Sequence, residues 1–297
     1  MLSFLPGKVR GIISIILFSI NTVFWASLLL IVSAFRIMIP LKFWYRLTSK
    51  ISIIIANSWI TGNNMTIALF YKIEWDVVFS GDLKMDDWYL VLSNHQTWVD
   101  IIVLQKVLLY KIPFLKFFLK KELIWVPVLG PAWWSLEFPF MKRYSKELLE
   151  KKPHLKGKDI ESTRKACEKY KTMPISIMNF MEGTRFSESK KIKQQSPYTN
   201  LLKPKAGGIS LVMSSMGDML QKIADVTIHY PEGPKTFWEF LCGKTTKIVV
   251  RVGIIPITDE IRGDYVADQE FSRRFQNWLN SFWAKKDQFL TELKIKY

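Results

Sequence analysis

The chain has 297 residues, 49% hydrophobic and 14% aromatic, with 42 Lys+Arg against 26 Asp+Glu. That much aromatic and apolar material excludes general disorder and suffices for one large or two small cores. Two cysteines, Cys167 and Cys242, make neither a disulfide framework nor a zinc site, which points to a reducing compartment, and a net charge of +16 calls for an acidic partner surface.

In chain order, the first predicted element is hydrophobic. Gly11 to Phe35 carry no charge and lie between Arg10 and Arg36. As a helix they would span roughly 37 Å, enough to cross a bilayer with some tilt. A cleaved signal peptide is the alternative, because Val32-Ser33-Ala34 resembles a small-residue cleavage site. The run exceeds a usual signal core and no disulfide pattern comes after it, so a retained membrane segment is the preferred reading. A second apolar stretch, Ile51 to Leu69, contains Asn57, Ser58, Asn63 and Asn64 and reads as an amphipathic partner. Arg36, Lys42, Arg46 and Lys50 after the first segment outnumber Lys8 and Arg10 before it. That bias places the remainder of the chain in the cytoplasm. Residues 1–73 are thus expected to be membrane-anchoring helices and 74–297 a separate folded domain.

From residue 74 the pattern alternates. Short apolar runs at 88–92, 174–180, 225–230 and 247–255 read as buried strands, with helices near 98–110, 112–121, 157–172 and 206–217. Alternation of this kind predicts an α/β layered domain, with a parallel or mixed sheet flanked by helices. A last helix, about Asp268 to Lys294, repeats Phe271, Phe275, Trp278, Leu279 and Phe282 at helical spacing and should dock on the core.

The candidate chemistry starts at His95, in Ser93-Asn94-His95-Gln96-Thr97-Trp98-Val99-Asp100, directly after a predicted strand. On one continuous helix, His95 and Asp100 would point about 140° apart. With His95 in a loop and Asp100 in the first helical turn, the carboxylate can fold back on the imidazole and fix its tautomer. A loop histidine beside a helix-start aspartate is the bland alternative.

The neighbouring blocks raise the first reading. Asn94-His95 through Asp100 is followed by Lys120-Lys121-Glu122-Leu123, Trp125 to Gly130 and Phe140-Met141-Lys142-Arg143. Then come Glu182-Gly183-Thr184-Arg185 and Leu202-Lys203-Pro204-Lys205-Ala206-Gly207-Gly208, the latter leading to a strand that ends at Pro231. In this order the blocks resemble the lysophospholipid acyltransferase family, typified by 1-acylglycerol-3-phosphate acyltransferases, and 125–143 resembles a branch containing bacterial paralogues. The resemblance implies a glycerolipid-acyltransferase-like fold and transfer of a fatty acyl group from acyl-CoA or acyl carrier protein to a lysophospholipid hydroxyl, without a further cofactor. It implies His95 as general base, Asp100 as its orienting partner, and Arg185 as the contact to the acceptor phosphate, with Asn94, Glu182, Gly183 and Thr184 shaping the same site. Lys120, Arg143, Lys205 and Gly207 are implied as further substrate-binding positions. The fourth block departs from the family pattern, closing as Val226-Thr227-Ile228-His229-Tyr230-Pro231 in place of an aliphatic run with paired prolines. His229 reads as a packed strand residue.

Between Lys142 and Lys205 there are 17 Lys+Arg and 7 Asp+Glu, a footprint for anionic headgroups or the phosphates of CoA. Nucleic acid is the rival partner, and no recognition motif supports it. The sequence also lacks a Gly-x-Ser-x-Gly elbow, a phosphate loop and a dinucleotide fingerprint. The expected protein is an acyltransferase of the inner membrane facing the cytoplasm, making phosphatidic acid. The alternatives are a different lysophospholipid acceptor, or a non-catalytic homologue that binds anionic lipid.

Overall fold

A computed structural model describes residues 2–141, 164–165, 167–263, 265 and 268–297. The N-terminal third is a helical hairpin, α1 (Gly7–Met38) and α2 (Lys42–Phe70). The polar residues that interrupt the apolar runs form its seam. Asn21 donates to Trp59 O and Asn63 Oδ1, each at 2.9 Å, and Trp59 Nε1 donates to Thr22 Oγ1 at 3.0 Å. Gly62 permits this approach, since a Cβ there would collide with the Asn21 amide. The outward face is apolar: Ile12, Ile16, Ile20, Val23 and Phe24 on α1, and Phe43, Ile54 and Met65 on α2, are exposed. Among the described residues, α1 is the one helix long and apolar enough to cross a membrane.

The rest is a mixed six-stranded sheet between helical layers. Its strands are β1 (Glu74–Ser80), β2 (Tyr89–Ser93), β3 (Leu115–Phe117), β6 (Ser176–Phe180), β7 (Lys222–His229) and β8 (Lys247–Pro256). They lie in the order β1-β8-β7-β2-β6-β3. All neighbours are parallel except β7 and β8. Two short strands, β4 (Leu119–Lys120) and β5 (Phe140–Met141), pair in a separate ribbon. Short helices α4 (Leu129–Ser135), α5 (Glu188–Gln194) and α7 (Phe237–Leu241) lie in the connections. Because side chains alternate along a strand, central β2 feeds two cores. Tyr89 and Val91 join one with α3 (Val99–Leu108) and the end of α2; Leu90 and Leu92 join the other with α6 (Ala206–Met216) and α8 (Gln269–Lys296). The hairpin therefore shares a core with the sheet, through Ile67, Phe70 and Tyr71. Helix α8 buries Phe271, Phe275, Leu279 and Trp283, each fully buried side chain contributing about 1.5–3 kcal/mol.

Three expectations change. Residues 112–121 form β3, β4 and the start of a 3₁₀ turn in place of a helix, because the register with Ser176–Met178 satisfies their backbone at the sheet edge. Glu74–Ser80, read as no element, is the opposite edge strand, pairing in parallel with Lys247–Gly253. The apolar segments are longer than read, 7–38 and 42–70. Half of the stretch expected as a helix at 157–172 lies outside the described residues, as do His154 and Arg143, and Glu168–Thr172 form a 3₁₀ helix.

Candidate active site

The site lies where β2, β6 and β7 end, the carboxyl edge of the parallel strands, where open α/β sheets commonly place ligands. β2 stops at Ser93, and Asn94 takes its side chain across to β7: Nδ2 donates to Ile228 O and Oδ1 accepts from Ile228 N, both at 2.9 Å. This amide bridge stands in for one more rung of the ladder and sets the exit angle of the next residue, His95.

The His95 imidazole is held at one nitrogen and on one face, and its backbone at both polar groups. Nδ1 lies 2.8 Å from Asp100 Oδ2, and the ring stacks on Phe180 at 3.8 Å between centroids with planes 12° apart. Its backbone N–H donates to Glu182 Oε1 at 2.8 Å, and its carbonyl accepts from Phe186 N at 2.7 Å. His95 is 9% exposed and Asp100 0%. Trp98 begins the turn into α3, so Asp100 sits in the first turn and reaches back along the loop. Its Oδ2 also accepts from the Gln96 and Thr97 amides at 2.5 and 2.9 Å. The loop-then-helix arrangement makes the five-residue offset work. With Nδ1 occupied, Nε2 is the nitrogen left for a reacting proton.

The third block crosses beside this pair. Gly183 has φ +66°, in the left-handed region, and a Cβ there would sit 3.1 Å from Lys205 Cδ. The turn lifts Thr184 and Arg185 over the His95 loop, where Arg185 Cζ lies 4.7 Å from the ring centre of Trp98. Lys190, on α5, donates to Thr184 Oγ1 at 2.8 Å and Arg185 O at 2.9 Å. Lys205 caps α6 and fastens to the turn through its own N–H on Met181 O at 2.8 Å. Arg185, Lys190 and Lys205 thus surround one turn next to the imidazole. A guanidinium stacked on an indole keeps its hydrogen-bonding edge for a second partner such as phosphate.

The other expected residues occupy varied places. Glu182 is buried: besides His95 N, its second oxygen accepts from Leu202 N at 3.0 Å. Burial pushes its carboxyl up to about 7, against the pull of those two amides. Asn94 and Glu182 are thus both tied to backbone, Asn94 to Ile228 of β7 and Glu182 to the His95 and Leu202 amides, and they shape the loop and the turn that carry His95 and Arg185. Gly207 is open, with nothing near a Cβ; the close approach belongs to Gly208, where a Cβ would meet Asn179 Nδ2 at 2.8 Å. Lys120 is exposed on the β4–β5 ribbon, and no hydrogen bond or ion pair among the described residues joins it to His95 or Arg185. His229 is packed in β7, where burial lowers its affinity for a proton.

Several supporting groups escaped the sequence reading. Trp283 Nε1 donates to Leu202 O at 2.8 Å, and Asp287 accepts from the Thr199 and Asn200 amides at 2.8 and 2.7 Å. Helix α8 therefore holds the 199–202 loop, which holds Glu182, which holds His95. Lys286, also buried, reaches Val226 O and Thr227 Oγ1 at 2.8 Å and pairs with Asp225 at 2.5 Å. Phe180, Trp98 and Lys190 stood inside or beside the family blocks, yet nothing in their spacing marked them.

Residues 76–231 match the family model described as Acyltransferase, just over half of the chain, and the chain belongs to that family. Its pairing of a buried histidine–aspartate dyad with a basic turn is set in a mixed sheet also found in the crystal structure of the 1-acyl-sn-glycerophosphate (LPA) acyltransferase PlsC of Thermotoga maritima. The two share the fold at TM-score 0.59 and 17% identity, over 98% of this chain and 99% of that one. An uncharacterized acyltransferase of Saccharomyces cerevisiae is 25% identical over 243 residues, 70% of this chain and 59% of the yeast protein. Human 1-acyl-sn-glycerol-3-phosphate acyltransferase delta is 28% identical over 183 residues, 58% of this chain and 44% of its own length. The chain thus spans about half the length of these curated relatives.

Proposed function

We propose that this acyltransferase is membrane-bound and transfers a fatty acyl group from acyl-CoA to the sn-2 hydroxyl of 1-acylglycerol-3-phosphate, giving phosphatidic acid. The observation that carries the reading is the contact of His95 Nδ1 with Asp100, 2.8 Å, beside a turn presenting Arg185. A glycerol hydroxyl is a weak nucleophile near neutral pH and needs a positioned base. His95 Nε2 takes the hydroxyl proton as the oxygen attacks the thioester carbonyl. The carbon–sulfur bond then breaks, and the departing thiolate takes that proton from the imidazolium. Asp100 holds the tautomer and stabilises the imidazolium in between. Arg185, with Lys190 and Lys205 behind it, grips the acceptor phosphate and thereby fixes the hydroxyl at Nε2.

The apolar face of the α1–α2 hairpin sits in the membrane, which delivers a lipid acceptor to the site. The reading further places the site on the cytoplasmic face of an inner membrane, where acyl-CoA is found. The test is acyl transfer by membranes carrying the chain, supplied with acyl-CoA and either lysophosphatidic acid or lysophosphatidylglycerol. Phosphatidic acid as the main product supports the proposal. Transfer to lysophosphatidylglycerol alone would keep the chemistry and replace the acceptor.

A further inference from the structure

The fourth block leaves the family pattern at its end, where Tyr230 comes directly after the last residue of β7. In the fold this tyrosine is buried and its hydroxyl donates to Asp100 Oδ1 at 2.7 Å. The two oxygens of Asp100 are therefore held separately. Oδ2 takes His95 Nδ1 and the Gln96 and Thr97 amides, while Oδ1 takes the phenol. Burial and the adjacent carboxylate hold the Tyr230 proton far more tightly than usual, so the hydroxyl remains a donor throughout the working pH range.

We infer that Tyr230 is a positioning residue for acyl transfer, fixing the plane of the Asp100 carboxylate and drawing part of its charge away from the oxygen that faces His95. The inference rests on the reading of His95 as the base. A carboxylate shares one negative charge between two oxygens, and a donor on one weakens the pull of the other on a neighbouring imidazolium. With Tyr230 in place, Asp100 therefore pulls less strongly on an imidazolium at His95 than it would with Oδ1 unbonded.

Among the described residues, the other charged or titratable groups around the pair are Glu182, on the His95 amide; Lys286, which reaches β7 from behind Glu182; Arg185, across the loop on Trp98, with Lys190 and Lys205 around the same turn; and His229, next to Tyr230 in the chain. A Tyr-to-Phe change touches none of them. It keeps the ring and removes one oxygen, while the three donors on Oδ2 hold Asp100 in place.

The experiment is Tyr230→Phe in the full chain, purified in detergent micelles with ring-labelled histidine. His95 is followed by NMR against pH, its signal identified by its loss in His95→Ala. The expected result is a His95 midpoint higher by roughly half to one unit. Acyl transfer should then fall several-fold at pH 6 with little change in KM, its acid limb moving by the same amount. Placing 3-fluorotyrosine at 230, a stronger donor in the same space, should move the midpoint down. A loss of packing would reproduce neither opposite shift. A midpoint unchanged or lowered in Tyr230→Phe overturns the inference. The midpoint is read without acceptor, so failure of the proposed reaction is seen separately, as transfer that survives His95→Ala.

Discussion

Glu182 gives a prediction whose size can be worked from the site. Its carboxylate receives the His95 and Leu202 amides in a fully buried place, and its pKa stands at about 7, against an ordinary 4.5. The cause is burial, which penalises the charged form more than two amide donors repay it. The folded state therefore binds a proton that the unfolded chain has released between these two values. Stability contributed by this group is greatest below the unfolded pKa and is lost as pH rises through about 7. At about 1.36 kcal/mol for each unit, the loss between pH 4.5 and 8 comes to about 3 kcal/mol.

Glu182→Gln removes the titration. Its amide oxygen can serve one backbone N–H, while its NH₂ faces the other, a fixed cost of about 1–3 kcal/mol. Thermal melting of the full chain in detergent, wild type beside Glu182→Gln at pH 5 and pH 8, reads the difference. The variant should lie well below wild type at pH 5 and approach it at pH 8, the gap changing by roughly 5–10 °C. Comparing the two proteins at each pH cancels other groups, including His229, whose lowered proton affinity works with the opposite sign. A gap that is constant with pH, or that widens towards pH 8, refutes the reasoning.

Other expectations come from single contacts. Arg185→Ala should raise KM for a phosphate-bearing acceptor about tenfold or more with a smaller effect on acyl-CoA, read from initial rates with each substrate varied. Trp98, 56% exposed, should show the same direction more weakly as Trp98→Ala, since it supplies the platform and not the charge. In the hairpin, Gly62→Ala forces a Cβ against the Asn21 amide and should cost about 1–3 kcal/mol, seen as a lower melting temperature in detergent with the His95 site unaltered.

Much of the layered sheet was legible because buried strands advertise themselves. Leu90 to Leu92, Ile175 to Met178 and Ile248 to Val252 are largely apolar runs of the kind that a strand covered on both faces requires. Edge elements were not. In Glu74–Ser80 exposed and half-buried residues mix, and the apolar stretch Phe114–Phe118 around Lys116 has no periodicity that separates strand from helix. Lys116 lies buried with its ammonium 4.6 Å from the ring centre of Tyr170, a partnership between residues distant in the chain. The His95–Asp100 pair was legible through the neighbouring blocks, since its spacing alone favoured a loop histidine beside a helix-start aspartate. Its supports were not: Tyr230, Glu182, Trp283 and Asp287 reach the pair through tertiary hydrogen bonds, and sequence spacing carries no record of them. Glu182 shows what the motif leaves unsaid, since its block marks the turn that carries Arg185 and is silent on the two backbone amides its own side chain accepts from.

The central claim is that His95 is the base for transfer to a lysophospholipid hydroxyl. Its most direct measurement compares membranes carrying the wild-type chain with His95→Ala, supplied with labelled acyl-CoA and lysophosphatidic acid, while vesicle binding by both proteins is followed in parallel. The account predicts labelled phosphatidic acid from the wild type and a rate about 10²–10⁴-fold lower from the variant, with binding unchanged. Transfer at the wild-type rate by His95→Ala would contradict it.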